Sequence, residues 1–227
     1  MSKKHEYLDS IKAVIFDMDG LMIDSERIFY QGYQAAAEQF GADDPLVLAT
    51  ISLGVRDDES AVLFSNMMGP DFDSIGLVRF VDQYVENYFH THPSPIKAGL
   101  IELLNYLKQR RIRLGIATGS VMSRVEHHLA SAGIGDYFDA IVSCDMVSQS
   151  KPAPEIFLRC AALLDCAPND CLALEDSISG VTAAFYAGIK VIMVPDLVEP
   201  DDDVKQKVFA VANDLHDVLV LLQAHGM

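Results

Sequence analysis

The stretch Ala13-Val14-Ile15-Phe16 is followed directly by Asp17-Met18-Asp19-Gly20. An uninterrupted apolar run of this kind predicts a strand that is buried on both faces of a sheet. Side chains two residues apart share one side of a strand, so Asp17 and Asp19 can face one pocket, while Gly20 permits a sharp turn. Two such carboxylates suit phosphoryl transfer through an aspartyl-phosphate. By itself, the motif favours a catalytic site only slightly over a solvated acidic loop.

Size and charge narrow the class of protein. A chain of 227 residues, of which 50% are hydrophobic, predicts one large domain or a domain with a small insertion. The formal net charge of −16 argues against a nucleic-acid partner, because no basic stripe is present to displace phosphate counterions. We identify neither an apolar run of the roughly 20 residues that span a membrane nor a signal peptide. We therefore expect a cytoplasmic protein with no membrane partner.

Strands and helices alternate in the second half of the chain. Apolar runs predict four strands, and segments with helical spacing lie between them. Strands that are apolar throughout and alternate with helices predict a parallel sheet covered on both faces. The predicted fold class is α/β, with a doubly wound, mainly parallel, Rossmann-like sheet. The predicted strands are 111–117, 140–143, 171–174 and 190–194, and the predicted helices lie around 100–108, 122–132, 156–164 and 178–187.

Residues 25–91 show a different pattern. They contain no convincing strand, and their apolar residues recur at helical spacing. We therefore predict a helical cap, 25–91, inserted after the first strand, with 10–24 and 92–227 forming the α/β catalytic core. Ligands of open α/β sheets bind at the carboxyl ends of the strands, where such a cap would lie. The two apolar faces are Phe29, Tyr33, Ala36, Ala37 and Phe40, and Val78, Val81, Val85 and Phe89.

Polar groups follow each of four predicted strands. Asp17 and Asp19 follow the first, and Thr118-Gly119-Ser120, Lys151-Pro152 and Glu175-Asp176-Ser177 follow the next three along the chain. Each group has a structural alternative, because hydroxyls and carboxylates also stabilise helix N-termini and lysines also occur in solvated loops. Their coincidence at one edge of one sheet favours a shared functional site.

Four stretches carry a family resemblance. They are Asp17-Met18-Asp19-Gly20-Leu21-Met22-Ile23-Asp24-Ser25-Glu26, Ala117-Thr118-Gly119-Ser120, Lys151-Pro152-Ala153-Pro154 and Leu174-Glu175-Asp176-Ser177. In this order and spacing they resemble the four motifs of the haloacid dehalogenase superfamily. The nearest resemblance is to its β-phosphoglucomutase-like phosphatases with a helical cap. It extends from about Lys12 to the last strand, which is nearly the whole chain.

The resemblance implies a role for each motif. Asp17 would attack phosphorus in line and form an aspartyl-phosphate, and Asp19 would protonate the leaving oxygen and then activate water. Thr118, with the backbone amides of Gly119-Ser120, would hold phosphoryl oxygens. Lys151 would neutralise charge on the phosphoryl group and on the nucleophile.

The resemblance also implies Mg²⁺ as the cofactor. The metal would bridge Asp17 and the substrate phosphate and so reduce the repulsion between two anions. Its further protein ligands would be the backbone carbonyl of Asp19 and the carboxylate of Asp176. Glu175 would bind it directly or through water.

Comparison with the branches of this family favours hydrolysis. Dehalogenases lack the second aspartate, so Asp19 favours phosphoryl transfer. Sugar phosphomutases carry a histidine on the first cap helix where this chain has Phe29, and they grip a second phosphate with an arginine and a lysine. Arg56 could be that arginine, or equally a solvated side chain paired with neighbouring acids. No lysine occurs between Lys12 and Lys97, so the predicted cap contains no lysine that could grip a second phosphate.

The sequence thus predicts a Mg²⁺-dependent phosphatase of small phosphorylated metabolites, such as sugar or sugar-acid phosphates. A sugar phosphomutase is the alternative, and a non-catalytic phosphate-binding protein ranks last. Nothing resembles a coiled-coil seam, and we expect a monomer. The pair His127-His128 is a poor chelate, because adjacent helical residues point about 100° apart, and we expect it on a solvated face.

Overall fold

The structure is a computed structural model that describes Leu8 and residues 10–52, 57–196 and 198–227. It contains two compact units. The larger unit is formed by the chain up to Ile23 together with Pro95–Met227, and the smaller unit by Asp24–Ser94. Over these described stretches, no helix has both the length and the apolar character that crossing a lipid bilayer demands.

Among its described residues, the regular secondary structure of the smaller unit is entirely helical. Its core contains residues of both predicted apolar faces, of which Phe29 and Phe40 are only partly buried, together with Ile28, Leu48, Ala49, Phe64 and Leu77. The first helix ends at Gly41, which has a left-handed φ of 71°. The fourth begins after Asp73, whose Oδ1 accepts a hydrogen bond from the Gly76 amide at 2.9 Å. The helices are α1 (Ser25–Phe40), α2 (Pro45–Ser52), α3 (Asp57–Met68) and α4 (Ser74–Thr91).

The larger unit contains a six-stranded sheet. Its strands are β1 (Ala13–Phe16), β2 (Arg113–Ala117), β3 (Ala140–Val142), β4 (Cys171–Glu175), β5 (Lys190–Met193) and β6 (Ala210–Val211). The spatial order is β3-β2-β1-β4-β5-β6, and every neighbouring pair is parallel. The chain therefore starts at the centre and builds the sheet outward on both sides, which is a doubly wound topology. The predicted fold class is confirmed.

Helices cover both faces of this sheet. They are α5 (Leu100–Gln109), α6 (Met122–Ala132), α7 (Glu155–Leu163), α8 (Ile178–Tyr186), α9 (Asp202–Lys207) and α10 (Leu215–Ala224). Val14 and Phe16 of β1 join the core formed with α5, α6 and α10. Ala13 and Ile15 join the opposite core, formed with α7, α8 and α9. Both faces of β1 are thus buried, because successive side chains alternate between the faces.

The structure differs from the predicted elements in two respects. The second strand begins at Arg113 rather than at residue 111, because Arg111 has a left-handed φ of 59° and its amide closes the turn after α5. The elements β6, α9 and α10 were not predicted. The strand β6 has only two residues and shows no periodicity, whereas α10 does have helical spacing, with Leu215, Val218 and Leu222 buried on one face.

Candidate active site

Three strand ends form one edge of the sheet. Phe16 pairs in register with Ile116 of β2 and with Leu174 of β4. The residues that follow therefore lie side by side, and the amide of Asp17 donates a hydrogen bond to the carbonyl of Leu174 at 3.0 Å. This edge is where open α/β sheets bind ligands.

Lys151 joins two carboxylates at this edge. Its Nζ lies 2.5 Å from Asp17 Oδ1 and 2.6 Å from Glu175 Oε1. It also lies 5.2 Å from the centroid of the Phe157 ring, within range of a cation–π contact. The three charged side chains are at most 10% exposed. Such ion pairs are poorly screened by solvent, and they fix the ammonium group beside the predicted nucleophile.

Burial and neighbouring charges both shift the pKa values of this cluster. Burial raises the pKa of Asp17 to about 8, with a smaller increase from the negative charges of Glu175 and Asp19 and an opposing effect from Lys151. Burial alone would lower the pKa of Lys151, but attraction by Asp17 and Glu175 outweighs it and raises that pKa. Lys151 therefore stays protonated, and the cluster favours additional positive charge near Asp17.

The same residues could hold a divalent cation. Asp17, Glu175 and Asp176 each offer a carboxylate oxygen, and these atoms lie within 4.8 Å of one another. All three residues are buried. An all-oxygen donor set suits a hard cation such as Mg²⁺, and three buried carboxylates carry more charge than one lysine neutralises. The donor set and the charge therefore both fit the predicted metal.

Asp19 turns toward the loop that follows β2. Its Oδ2 accepts a hydrogen bond from Ser120 Oγ at 2.7 Å and a longer one from Thr118 Oγ1 at 3.4 Å. Its Oδ1 is buried without a hydrogen-bond partner among the described residues. The chain turns at Gly20, which has a left-handed φ of 80°. This carboxylate is thus held apart from the ion pairs that surround Lys151.

The predicted phosphate loop follows β2 directly. Thr118 is fully buried, and its Oγ1 accepts a hydrogen bond from the amide of Ser120 at 3.0 Å. Gly119 is exposed, and a Cβ atom added there would meet no heavy atom within 4 Å. The loop is therefore tightly held on one side and open on the other, which leaves room for a ligand beside Gly119.

Three further predictions concern Arg56, Phe29 and the pair His127-His128. Arg56 lies outside the described residues. Phe29 packs against the core of the smaller unit. The prediction that His128 lies on a solvated face is wrong, because this residue is fully buried on α6 whereas His127 is exposed. Val125 and Leu129 flank His128 on the buried face of the helix, which explains the difference.

Three further residues contribute to the arrangement. Phe157 contacts the ammonium group of Lys151, Ser177 donates its hydroxyl to Glu175 Oε2 at 3.0 Å, and Gly180 lies directly against the Glu175 carboxylate. Ser177 belongs to the fourth motif quoted from the sequence, but no role was predicted for it. No sequence signal marks Phe157 or Gly180, because their contacts depend on packing between separate elements.

The fold is α/β, and an acidic cluster lies at the edge of the sheet where such folds bind ligands. The description "haloacid dehalogenase-like hydrolase" belongs to the family that matches residues 14–194, and the chain is a member of this family. The resemblance seen in the sequence is thus confirmed.

Named relatives specify the enzyme class. The Phosphorylated carbohydrates phosphatase of Thermotoga maritima is 30% identical over 94% of this chain and 91% of its own length. Hexitol phosphatase B of Escherichia coli is 32% identical over 82% of this chain and 84% of its own length. The crystal structure of β-phosphoglucomutase from Clostridium difficile shares the fold, with a TM-score of 0.75, 24% identity and coverage of 95% and 96%. The chain is a hydrolase of the phosphatase class.

Proposed function

We propose that this enzyme hydrolyses phosphate monoesters of small metabolites, in particular sugar or sugar-acid phosphates, through a Mg²⁺-dependent double displacement. The observation that carries the proposal is the contact between Lys151 and Asp17 inside a buried cluster of carboxylates. The names of the relatives from Thermotoga maritima and Escherichia coli support phosphorylated carbohydrates and polyols as the substrate class.

In the first step, a carboxylate oxygen of Asp17 attacks phosphorus and the bond to the leaving oxygen breaks. Asp19 delivers a proton to that oxygen, so the product leaves as an alcohol. Lys151 offsets the negative charge of the phosphoryl group and keeps the Asp17 oxygen oriented, while Thr118 and the amides of Gly119-Ser120 hold the other phosphoryl oxygens.

In the second step, water attacks the phosphorus of phospho-Asp17. Asp19 accepts a proton from this water, and the bond between phosphorus and the Asp17 oxygen breaks. Inorganic phosphate leaves and the free carboxylate is restored. Asp19 thus acts as an acid in the first step and as a base in the second.

Mg²⁺ is proposed to bind Asp17, Asp176 and the Asp19 backbone carbonyl, with Glu175 as a direct or water-mediated ligand. When bound, it supplies positive charge that lowers the repulsion between the nucleophile and the phosphate. The helices of residues 25–91 are proposed to act as a cap that selects the substrate and excludes bulk water during the first step.

The test is phosphate release from a panel of metabolite phosphates, with Mg²⁺ and with EDTA. We expect release that EDTA abolishes, and we expect Asp17→Asn to release no phosphate and to form no acid-stable phosphoenzyme. Asp165→Asn is the matched control, because the Asp165 side chain is 95% exposed. Substantial hydrolysis by Asp17→Asn would refute the role of the nucleophile.

A phosphomutase is the second candidate, because the fold is shared with β-phosphoglucomutase. The two activities differ in the fate of the phosphoryl group. A mutase converts glucose-1-phosphate to glucose-6-phosphate and releases little phosphate. Measuring inorganic phosphate and glucose-6-phosphate in the same assay decides between the two activities. We expect phosphate release without conversion of glucose-1-phosphate to glucose-6-phosphate.

A further inference from the structure

Gly180 lies beneath the carboxylate of Glu175. A Cβ atom added at Gly180 would fall 1.8 Å from Glu175 Oε1 and 2.2 Å from Oε2. Real Cβ atoms do not approach other heavy atoms so closely, so the absence of a side chain at this position creates the space that the carboxylate occupies.

The backbone does not require glycine at this position. Gly180 lies in the first turn of α8, and its φ is outside the left-handed region that favours glycine. Within a helix, glycine is less favourable than alanine because it loses more conformational freedom on folding. The contact with Glu175 provides a physical reason for this residue.

Glu175 has little freedom to move elsewhere. It is fully buried, and its Oε2 accepts hydrogen bonds from the amides of Asp176 and Ser177 at 3.1 Å each and from Ser177 Oγ at 3.0 Å. Ser177 Oγ in turn accepts a hydrogen bond from the amide of Gly180 at 3.0 Å. The carboxylate is therefore part of the N-terminal turn of α8, and Oε1 is left to face Lys151.

Lys151 depends on this placement. Its Nζ is shared between Glu175 Oε1 and Asp17 Oδ1, and the Phe157 ring lies on another side of it. A displaced Glu175 carboxylate would pull the ammonium group away from Asp17 or leave it with one partner fewer. The contacts thus run from Gly180 through Glu175 and Lys151 to Asp17.

We propose that Gly180 is a positioning residue for catalysis, which makes room for the Glu175 carboxylate that holds Lys151 against Asp17. This inference rests on the proposed phosphatase function. It concerns the placement of Lys151, and it predicts a fall in kcat that saturating Mg²⁺ does not restore.

The main experiment compares Gly180→Ala with Gly135→Ala in p-nitrophenyl phosphate hydrolysis. A Cβ atom at Gly135 would meet only Leu129 Cβ, at an ordinary 3.9 Å, so this variant is a matched control. We expect Gly180→Ala to lower kcat by about tenfold or more, because small displacements of catalytic groups are costly. KM should change less than threefold, the loss in kcat should persist at saturating Mg²⁺, and Gly135→Ala should resemble the wild type.

A double-mutant cycle tests the mechanism. Glu175→Ala removes the carboxylate that the added methyl group would displace, so adding Gly180→Ala to Glu175→Ala should lower kcat less than about twofold further. A further loss as large as that of Gly180→Ala alone would overturn the inference, as would wild-type kcat in Gly180→Ala. Inactive wild-type protein would instead refute the proposed function.

A second variant covers the case in which Gly180→Ala does not fold, as judged by circular dichroism. Glu175→Gln keeps the size of the side chain above Gly180 but removes the charge that holds Lys151. A fall in kcat that persists at saturating Mg²⁺ supports the inference. A fall in kcat that saturating Mg²⁺ restores in full assigns Glu175 to the metal alone and overturns it.

Discussion

Ser120 donates its hydroxyl hydrogen to Asp19 Oδ2 at 2.7 Å, which links the loop after β2 to the second aspartate after β1. Both residues belong to the predicted site, but the sequence assigned them to different tasks, phosphate binding and proton transfer. The hydrogen bond couples these tasks, because the group that orients Asp19 lies in the loop proposed to hold the phosphoryl oxygens.

We expect Asp19→Ala to slow alkyl phosphates far more than aryl phosphates, because only a poor leaving group needs a proton as its bond to phosphorus breaks. The comparison of kcat/KM for glucose-6-phosphate and p-nitrophenyl phosphate measures this. Ser120→Ala should change the ratio in the same direction but by less, and Ser123→Ala, at an exposed position on α6, should leave it unaltered. Equal losses on both substrates would contradict the acid–base role of Asp19.

The buried carboxylates predict that one catalytic residue destabilises the metal-free fold. Burial raises the pKa of Asp17 to about 8, so its charged form is disfavoured in the folded protein at neutral pH. In EDTA, we expect Asp17→Asn to unfold at a temperature roughly 4 °C above that of the wild type. For a chain of this size, such a shift corresponds to a stabilisation on the order of 1 kcal/mol or more. Mg²⁺ should then stabilise the wild type more than the variant. A lower unfolding temperature for Asp17→Asn in EDTA would disprove this expectation.

Buried His128 predicts a loss of stability in mild acid. Burial lowers the pKa of His128, an effect that His127 and Arg124 reinforce and that the charge of Asp19 opposes. The unfolded chain therefore binds the proton at higher pH than the folded one, and stability falls as the pH drops below about 6.5. The urea midpoint in EDTA should fall less between pH 7.5 and 5.5 in His128→Leu than in the wild type. His127→Gln, at the exposed neighbouring position, should retain the wild-type slope.

The charge of the smaller unit predicts a preference among substrates. Residues 24–94 contain twelve acidic residues against three arginines and no lysine, and Arg27 is engaged with Asp24 at 2.8 Å. We expect sugar or polyol monophosphates to have kcat/KM values about tenfold higher than those of the corresponding bisphosphates. Added salt should narrow this difference, because charges are screened over about 10 Å at 0.1 M and about 3 Å at 1 M. A bisphosphate as the best substrate would contradict this prediction and point to Arg56 as its anchor.

Much of the fold could be predicted because its signals are local. The apolar run before Asp17 and the alternation of strands with helices indicate a parallel sheet without knowledge of any contact. A two-residue strand such as β6 carries no such signal, whereas the helical spacing of Leu215, Val218 and Leu222 in α10 is a local signal that was not used. The burial of His128 could have been predicted from helical spacing, because His128 lies beside the apolar face formed by Val125 and Leu129 and His127 lies on the opposite side.

The candidate site, like the fold, could be predicted from the sequence only in part. The sequence by itself determined the residue types and their order: two aspartates after the first strand, hydroxyls after the second, a lysine, and an acidic pair after the fourth. These follow from chain position, because parallel strands all end at the same edge of their sheet.

Tertiary structure alone decided which of these groups touch. Lys151 contacts Asp17, which is 134 residues away in the sequence, and Glu175, which is 24 residues away. Ser120 contacts Asp19, which is 101 residues away. Contacts between residues so distant in sequence depend on how helices and loops pack, and packing is set by the shapes of many side chains together. For the same reason, the space that Gly180 provides for Glu175 is visible only in the folded protein.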